Sequence, residues 1–394
     1  MRWAARWVFT LLILILSLLP TVLPAWSPLF GPTPGATGTC VREPALVAVN
    51  GTLLALAHRR YWQGDGCMLG AVTWPRPGGD NRTQLVLRRS TSSGATWSAE
   101  ETVGYGIGAS TVVDAATGTV VVHFCAAQPG RRWPWASDWC MHEATHGTMY
   151  QLTSSTLGLS WRRQHIGPSL GHHDGILPSG HGTQAGSRLL FAGQKILQVN
   201  DSYSSAHGVI WASDTGAKAW KVVAFLGPGF GEPSLATLPD GTVLLSMRDE
   251  YPSQWGCHGP AAGSGCRLFR RSTSRGDSWS TVEAAPSLVS AGVMGSILSS
   301  PQPTSPDRVL LAYPYSADPP QPNCSRGRAN ITLHTSRDGA GTWGDAKVLY
   351  AGPSGYSSLA RQGGGVAILY ERDSAGEQPQ CAGESCVIVF ERLT

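Results

Sequence analysis

The most literal chemical signature in this chain is His142-Glu143-Ala144-Thr145-His146. Its spacing would let two imidazoles share a zinc ion while the glutamate activates a water, provided the segment is helical and both rings lie on one face. The flanks argue against a helix. Cys140 precedes it, Gly147 follows it, and Met149–Thr153 reads as a strand. His172, His173, Asp174 and His181 are metal-capable but irregularly spaced. No metal or other cofactor is expected from these groups. The nine cysteines point to a different chemistry, because Cys125 and Cys140, Cys257 and Cys266, and Cys381 and Cys386 form close pairs. Short loops closed by disulfides suit an oxidising compartment. Cys40 with Cys67 would make a fourth bridge and leave Cys324 odd.

The elements that must position any such chemistry show themselves as a repeat. Ser90–Trp97, Ser154–Trp161, Ser213–Trp220, Ser272–Trp279 and Ser336–Trp343 share a frame of small polar residues closing on tryptophan. The tryptophans stand 64, 59, 59 and 64 residues apart. A period of this length marks a repeat architecture. Between the repeats the strand-like runs are short, and turn signals such as Asn50-Gly51, Thr117-Gly118 and Asp240-Gly241 separate them. A unit of about 60 residues with about four short strands is a propeller blade with long loops. The 355 residues from Cys40 to Thr394 then make six blades. The expected fold is all-β, a six-bladed β-propeller of four-stranded antiparallel blades. The last strand, near Val387–Phe390, is expected to pair with the N-terminal segment near Val41 and close the ring. In the repeat, glycine tolerates positive φ, the small polar side chains satisfy turn N–H groups, and tryptophan packs between sheets. Only Asp338 retains an acid at the third position; Ser92, Thr156, Thr215 and Ser274 stand in the others.

Composition agrees. Charged residues are 14%, well below the roughly 25% of an average soluble protein. The net charge of +4 is scattered, and pairs such as Arg88-Arg89 and Arg270-Arg271 fall at strand ends. No basic patch with interleaved aromatics suggests nucleic acid. Arg2 and Arg6 flank an apolar run from Trp7 to Leu19, so residues 1–25 read as a secretory signal peptide or an uncleaved signal anchor. Membrane association is expected only through such an anchor. A Pro/Gly-rich linker, 26–39, then leads into the body, 40–394. Sequons at Asn50, Asn81, Asn200, Asn323 and Asn330 could carry glycans in the secretory pathway.

With these elements in place the chain resembles the sialidase (neuraminidase) family over nearly the whole body. The repeats look like that family's Asp boxes, and the motifs between them follow in its order. Val41-Arg42-Glu43-Pro44 is similar to the Arg-Ile-Pro motif, Leu244–Arg248 carries the second arginine, and Arg328-Ala329-Asn330-Ile331-Thr332 resembles Arg-x-Asn-Leu-Thr. The resemblance implies that Arg42, Arg248 and Arg328 clamp a sialic acid carboxylate. Guanidinium groups suit that role, since they pair bidentately with carboxylates and stay charged. Glu43 departs from the family's apolar residue and could weaken the clamp unless it faces away.

Gly352–Ala360 resembles the nucleophile loop, with Tyr356 as nucleophile, and Gly231-Glu232-Pro233 the loop carrying its glutamate base. A neutral phenol suits a reacting carbon that already bears a carboxylate, and sialidases are the tyrosine exception among retaining glycosidases. Asp80, five residues before Leu85, matches the catalytic acid/base; Asp65, in Gly64-Asp65-Gly66, reads as a turn. Arg60 matches an arginine near substrate hydroxyls, and Glu371 one that braces the first arginine. Gly108-Ala109 replaces a polar rim residue, and Gly180-His181-Gly182 resembles a structural or rim turn. The implied activity is that of a retaining exo-α-sialidase acting on sialylated glycans of glycoproteins, glycolipids or oligosaccharides. Alternatives are a trans-sialidase, with Trp255 or Tyr315 as acceptor platform, and a non-catalytic sialic-acid-binding propeller.

Overall fold

The computed structural model describes residues 28–31, 40–60, 83–127, 147–171, 175–200, 203–250, 255–257, 265–315, 328–372 and 387–393. Asp65, Asp80, the segment 142–146 and five of the cysteines (Cys67, Cys140, Cys324, Cys381 and Cys386) lie outside them.

Strands dominate, and they pair as successive antiparallel meanders. Blade 1 is Cys40–Val49, Thr52–Arg60, Gln84–Ser90 and Glu101–Tyr105. Blade 2 is Ile107–Asp114, Thr119–Ala127, Gly147–Ser154 and Arg162–His165. In blade 3 the inner edge is split. Leu177–Pro178 and Thr183–Ala185 both pair with Arg188–Asn200, which is followed by Tyr203–Ser213 and Lys221–Pro228. Blade 4 is Phe230–Thr237, Val243–Asp249, Gly265–Ser272 and Glu283–Ser290. Blades 5 and 6 share one long strand, Gly344–Gln362. Its first half pairs with Ala329–Ser336 and is the outer strand of blade 5; its second half pairs with Gly365–Arg372 and is the inner strand of blade 6.

Six apolar clusters lie at the six blade-to-blade contacts. Leu54 and Leu56 of blade 1 face Val120, Val122 and Phe124 of blade 2, while their neighbours Leu53, Ala55 and Ala57 face Leu369 and Ile388 of blade 6. Strand alternation sends successive side chains to opposite faces, and both faces are buried here. That is why Leu53-Leu54-Ala55-Leu56-Ala57 is continuously apolar. The contact between blades 6 and 1 closes the ring.

One expectation needs correction. The strand that completes blade 6 beside Val387–Leu393 is Pro28–Phe30, not the segment near Val41, which belongs to the inner strand of blade 1. Leu29 and Phe30 are buried in the cluster between those blades, so two apolar residues within a Pro/Gly-rich stretch anchor the chain there. The same closure explains why six blades carry five repeats. Each repeat is the turn between third and fourth strands, and in blade 6 those two strands come from opposite ends of the chain.

In all five repeats the first serine accepts an N–H four residues on, from Gly94, Gly158, Ala217, Gly276 or Ala340, at 2.8–3.2 Å. The third residue does the same for Thr96, Ser160, Ala219, Ser278 and Thr342 at 2.8–3.0 Å. A hydroxyl therefore replaces the carboxylate without loss of that bond. The closing tryptophans reach the blade interfaces, Trp97 meeting Phe390 edge-on at 5.1 Å and Trp343 stacking on Phe269 at 5.5 Å.

Candidate active site

Most site residues sit where inner strands begin and second strands end, and Arg328 immediately precedes Ala329–Ser336, the third strand of blade 5. The inner strands break register between Arg42 and Ala45, Ile107 and Ser110, Gly231 and Ser234, and Ser354 and Ser357. Such bulges re-aim side chains beside binding sites. Glu43 and Glu232 occupy two of them with φ of 54° and 42°, a costly region for side-chain-bearing residues. Tyr356 occupies a third.

The Tyr356 hydroxyl donates to Oε1 of Glu232. Oε2 of the same carboxylate accepts Nη1 of Arg248 at 3.1 Å, and the backbone N–H of Glu232 donates to Oε1 of Gln194 at 3.0 Å. Both carboxylate oxygens are thus committed, one to a phenol and one to a guanidinium. The Arg42 guanidinium lies 5.1 Å from the Tyr356 ring centre and that of Arg328 5.8 Å. Arg42 is held from behind by Glu371, whose Oε1 accepts its Nε at 3.1 Å and the Glu43 N–H at 2.7 Å. The other oxygen, Oε2, accepts the Tyr356 N–H at 3.1 Å. Gly355 is required beside this brace, because a Cβ there would collide with Oε2 of Glu371. Arg328 donates to the Gly292 carbonyl at 2.9 Å and forms no ion pair among the described residues.

A BNR repeat-like domain matches residues 105–369. The sialidase of Micromonospora viridifaciens is 28% identical over 318 residues, which is 73% of this chain and 44% of that protein. The chain belongs to the BNR repeat-like family. The fold is also that of the Hadza microbial sialidase Hz136 (TM-score 0.66, 21% identity, 91% of this chain and 66% of that one). It is likewise that of a leech intramolecular trans-sialidase (TM-score 0.64, 15% identity, 95% of this chain and 70% of that one). The chain therefore spans less than half of the curated relative and about two thirds of the first of these structures.

Of the sialidase-type residues expected from sequence, Tyr356, Glu232, Arg42, Arg248, Arg328, Arg60 and Glu371 come together through the contacts above and through Glu43. Asp80 lies outside the described residues. Glu43 does not face away: its carboxylate meets Arg60 and lies 3.3 Å from Nδ1 of His58. Burial works to raise the Glu43 pKa, but Arg60, His58 and Arg42 outweigh it and hold the carboxyl well below its usual range. For Arg248, burial opposes the charge, yet Glu232, Glu250 and Tyr356 hold its pKa above the usual value. His181 is buried at the axis rather than on the rim, 2.7 Å from Oγ of Ser296 and 3.2 Å from Oγ of Ser358. Trp255 packs on Phe230 and Tyr315 on His334.

Several contributors had no motif. Arg267 is fully buried behind the site and donates to the Val293 carbonyl at 2.9 Å and to Ser246 at 3.0 Å; burial pushes it down to about 10. Val293 and Met294 pack against Tyr356. The available signal was a charged residue at an inward position of an otherwise apolar strand, as in Cys266-Arg267-Leu268.

Proposed function

We propose that this protein is a retaining exo-α-sialidase that removes terminal sialic acids from glycans in the secretory pathway. The observation that carries the reading is the hydrogen bond from the Tyr356 hydroxyl to Glu232 beside the Arg42 and Arg328 guanidiniums. Tyr356 Oη attacks the anomeric carbon while its proton passes to Glu232. The bond to the leaving oxygen breaks, and that oxygen takes a proton from Asp80, the role that the sialidase resemblance implies for this residue. Water then attacks the tyrosyl-linked sugar, giving its proton to Asp80, and Tyr356 recovers its own from Glu232. The arginines hold the substrate carboxylate and offset charge developing on the phenol oxygen. Family membership and the 28% identity to a sialidase support the substrate class. The disulfide between Cys257 and Cys266 supports the oxidising compartment, and the apolar N-terminal run supports entry into it.

Release of a fluorogenic α-sialoside by wild type and Tyr356→Phe tests the reading, with lactose added in a parallel arm. Turnover by wild type alone, insensitive to lactose, is expected. Equal turnover in both proteins overturns the tyrosyl mechanism. Transfer to lactose makes the protein a trans-sialidase, and binding without turnover makes it a lectin.

A further inference from the structure

We propose that Glu43 is a specificity-determining residue, whose carboxylate, held from behind by Arg60 and His58, accepts a hydrogen bond from one free hydroxyl on the bound sugar. The proposal rests on the sialidase reading of the same site. Glu43 belongs to the reacting cluster, because its N–H shares Glu371 with Arg42 and the backbone of Tyr356. Its side chain is built into place. One carboxylate oxygen meets Arg60, and the other faces Nδ1 of His58. The Ala109 N–H donates to Nε2 of His58 at 3.1 Å, which places the imidazole proton on Nδ1, toward Glu43. His58 and Arg60 are buried, whereas the Glu43 side chain keeps 18% of its surface exposed. The carboxylate is therefore the face that this cluster presents.

The chemistry of the pair is selective. A carboxylate only accepts hydrogen bonds and a guanidinium only donates them, while a hydroxyl does both. A sugar hydroxyl therefore donates to the exposed edge of Glu43, while the buried Arg60 guanidinium holds the carboxylate in place and charged. A sugar lacking that hydroxyl strips water from the exposed edge of the carboxylate without replacing its hydrogen bond, and an anionic substituent meets a like charge. Sites built to bind a hydroxyl reject the analogue without it far more strongly than apolar pockets reject a missing methylene.

The test uses fluorogenic α-sialosides that each lack one hydroxyl, with the parent as reference, and wild type, Glu43→Met and Glu43→Gln as enzymes. Calorimetric binding of the matching free sugars runs beside turnover. Wild type should favour the parent over one member of the series by about 10- to 100-fold in kcat/KM. That preference should collapse in Glu43→Met, which has similar length and no acceptor, and survive in part in Glu43→Gln. An unchanged preference in both variants, or an equal loss on every member, overturns the proposal. If wild type uses the parent but discriminates against no member, this inference alone fails. If wild type neither turns over nor binds any member, the sialidase reading falls and takes the inference with it.

Discussion

Glu371 holds Tyr356 by its backbone, accepting the N–H at 3.1 Å on Oε2 while Oε1 grips Nε of Arg42 at the same distance. One fully buried carboxylate thereby sets the spacing between the proposed clamp and the proposed nucleophile. It lies on the second strand of blade 6, and Arg42 on the inner strand of blade 1, so the closure of the ring is part of the site. Glu371→Gln removes the charge that a buried arginine needs. Breaking such a pair should lower stability by about 3 kcal/mol. Misplacing the tyrosine should cut kcat/KM by about 100-fold. Denaturant titration and sialoside kinetics on the same preparation check both, and an unchanged kcat/KM would show that the brace does not position the nucleophile.

The repeats should behave as scaffold. Asp338 accepts the Thr342 N–H at 2.9 Å, the Thr342 hydroxyl at 2.7 Å and the Ser336 hydroxyl at 2.7 Å. Asp338→Ala should cost about 1 kcal/mol in unfolding free energy and leave kcat unaltered. A drop in kcat at temperatures where the variant is fully folded would assign the repeat a part in chemistry.

Stability should fall with acid through histidines buried without charge. Burial pushes His123 down to about 3 and both His181 and His334 down to about 4. His123 has a further reason: Nδ1 accepts the Trp211 indole N–H at 2.8 Å, and Nε2 lies 3.1 Å from Oε1 of Gln151. The folded pKa values are depressed, so the unfolded chain binds the protons first as pH falls. The contribution is complete above about 6.5 and is lost toward about pH 4, by about 3 kcal/mol for each histidine. Denaturant midpoints across that window check this. His334→Phe keeps the stacking on Tyr313 and should flatten the slope; an unaltered slope would contradict the account for His334.

Much of this was legible in sequence because it is written in short stretches. Five tryptophan-closed turns at a constant period gave the blades, and Tyr356, Glu232 and the three arginines each lie in a compact motif. The rest depends on which way a bulged strand turns a side chain. Glu43 could have faced either side of its strand, and only the φ of 54° and the partners Arg60 and His58 decide it. Arg59 and Arg60 are adjacent in sequence, yet Arg59 pairs with Glu100 at 2.7 Å and Arg60 with Glu43. The blade 6 strand Pro28–Phe30 was hidden because Leu29 and Phe30 are too few to register as a period.

A tyrosyl-enzyme intermediate at Tyr356 can be trapped covalently. Wild type is incubated with a 3-fluorinated sialosyl fluoride, which slows the second step, and the peptides are mapped by mass spectrometry. One sialyl adduct is expected, on the peptide containing Tyr356, with Glu232→Gln slowing its formation. Inactivation with the adduct on any other residue, or normal labelling of Tyr356→Phe, would contradict it.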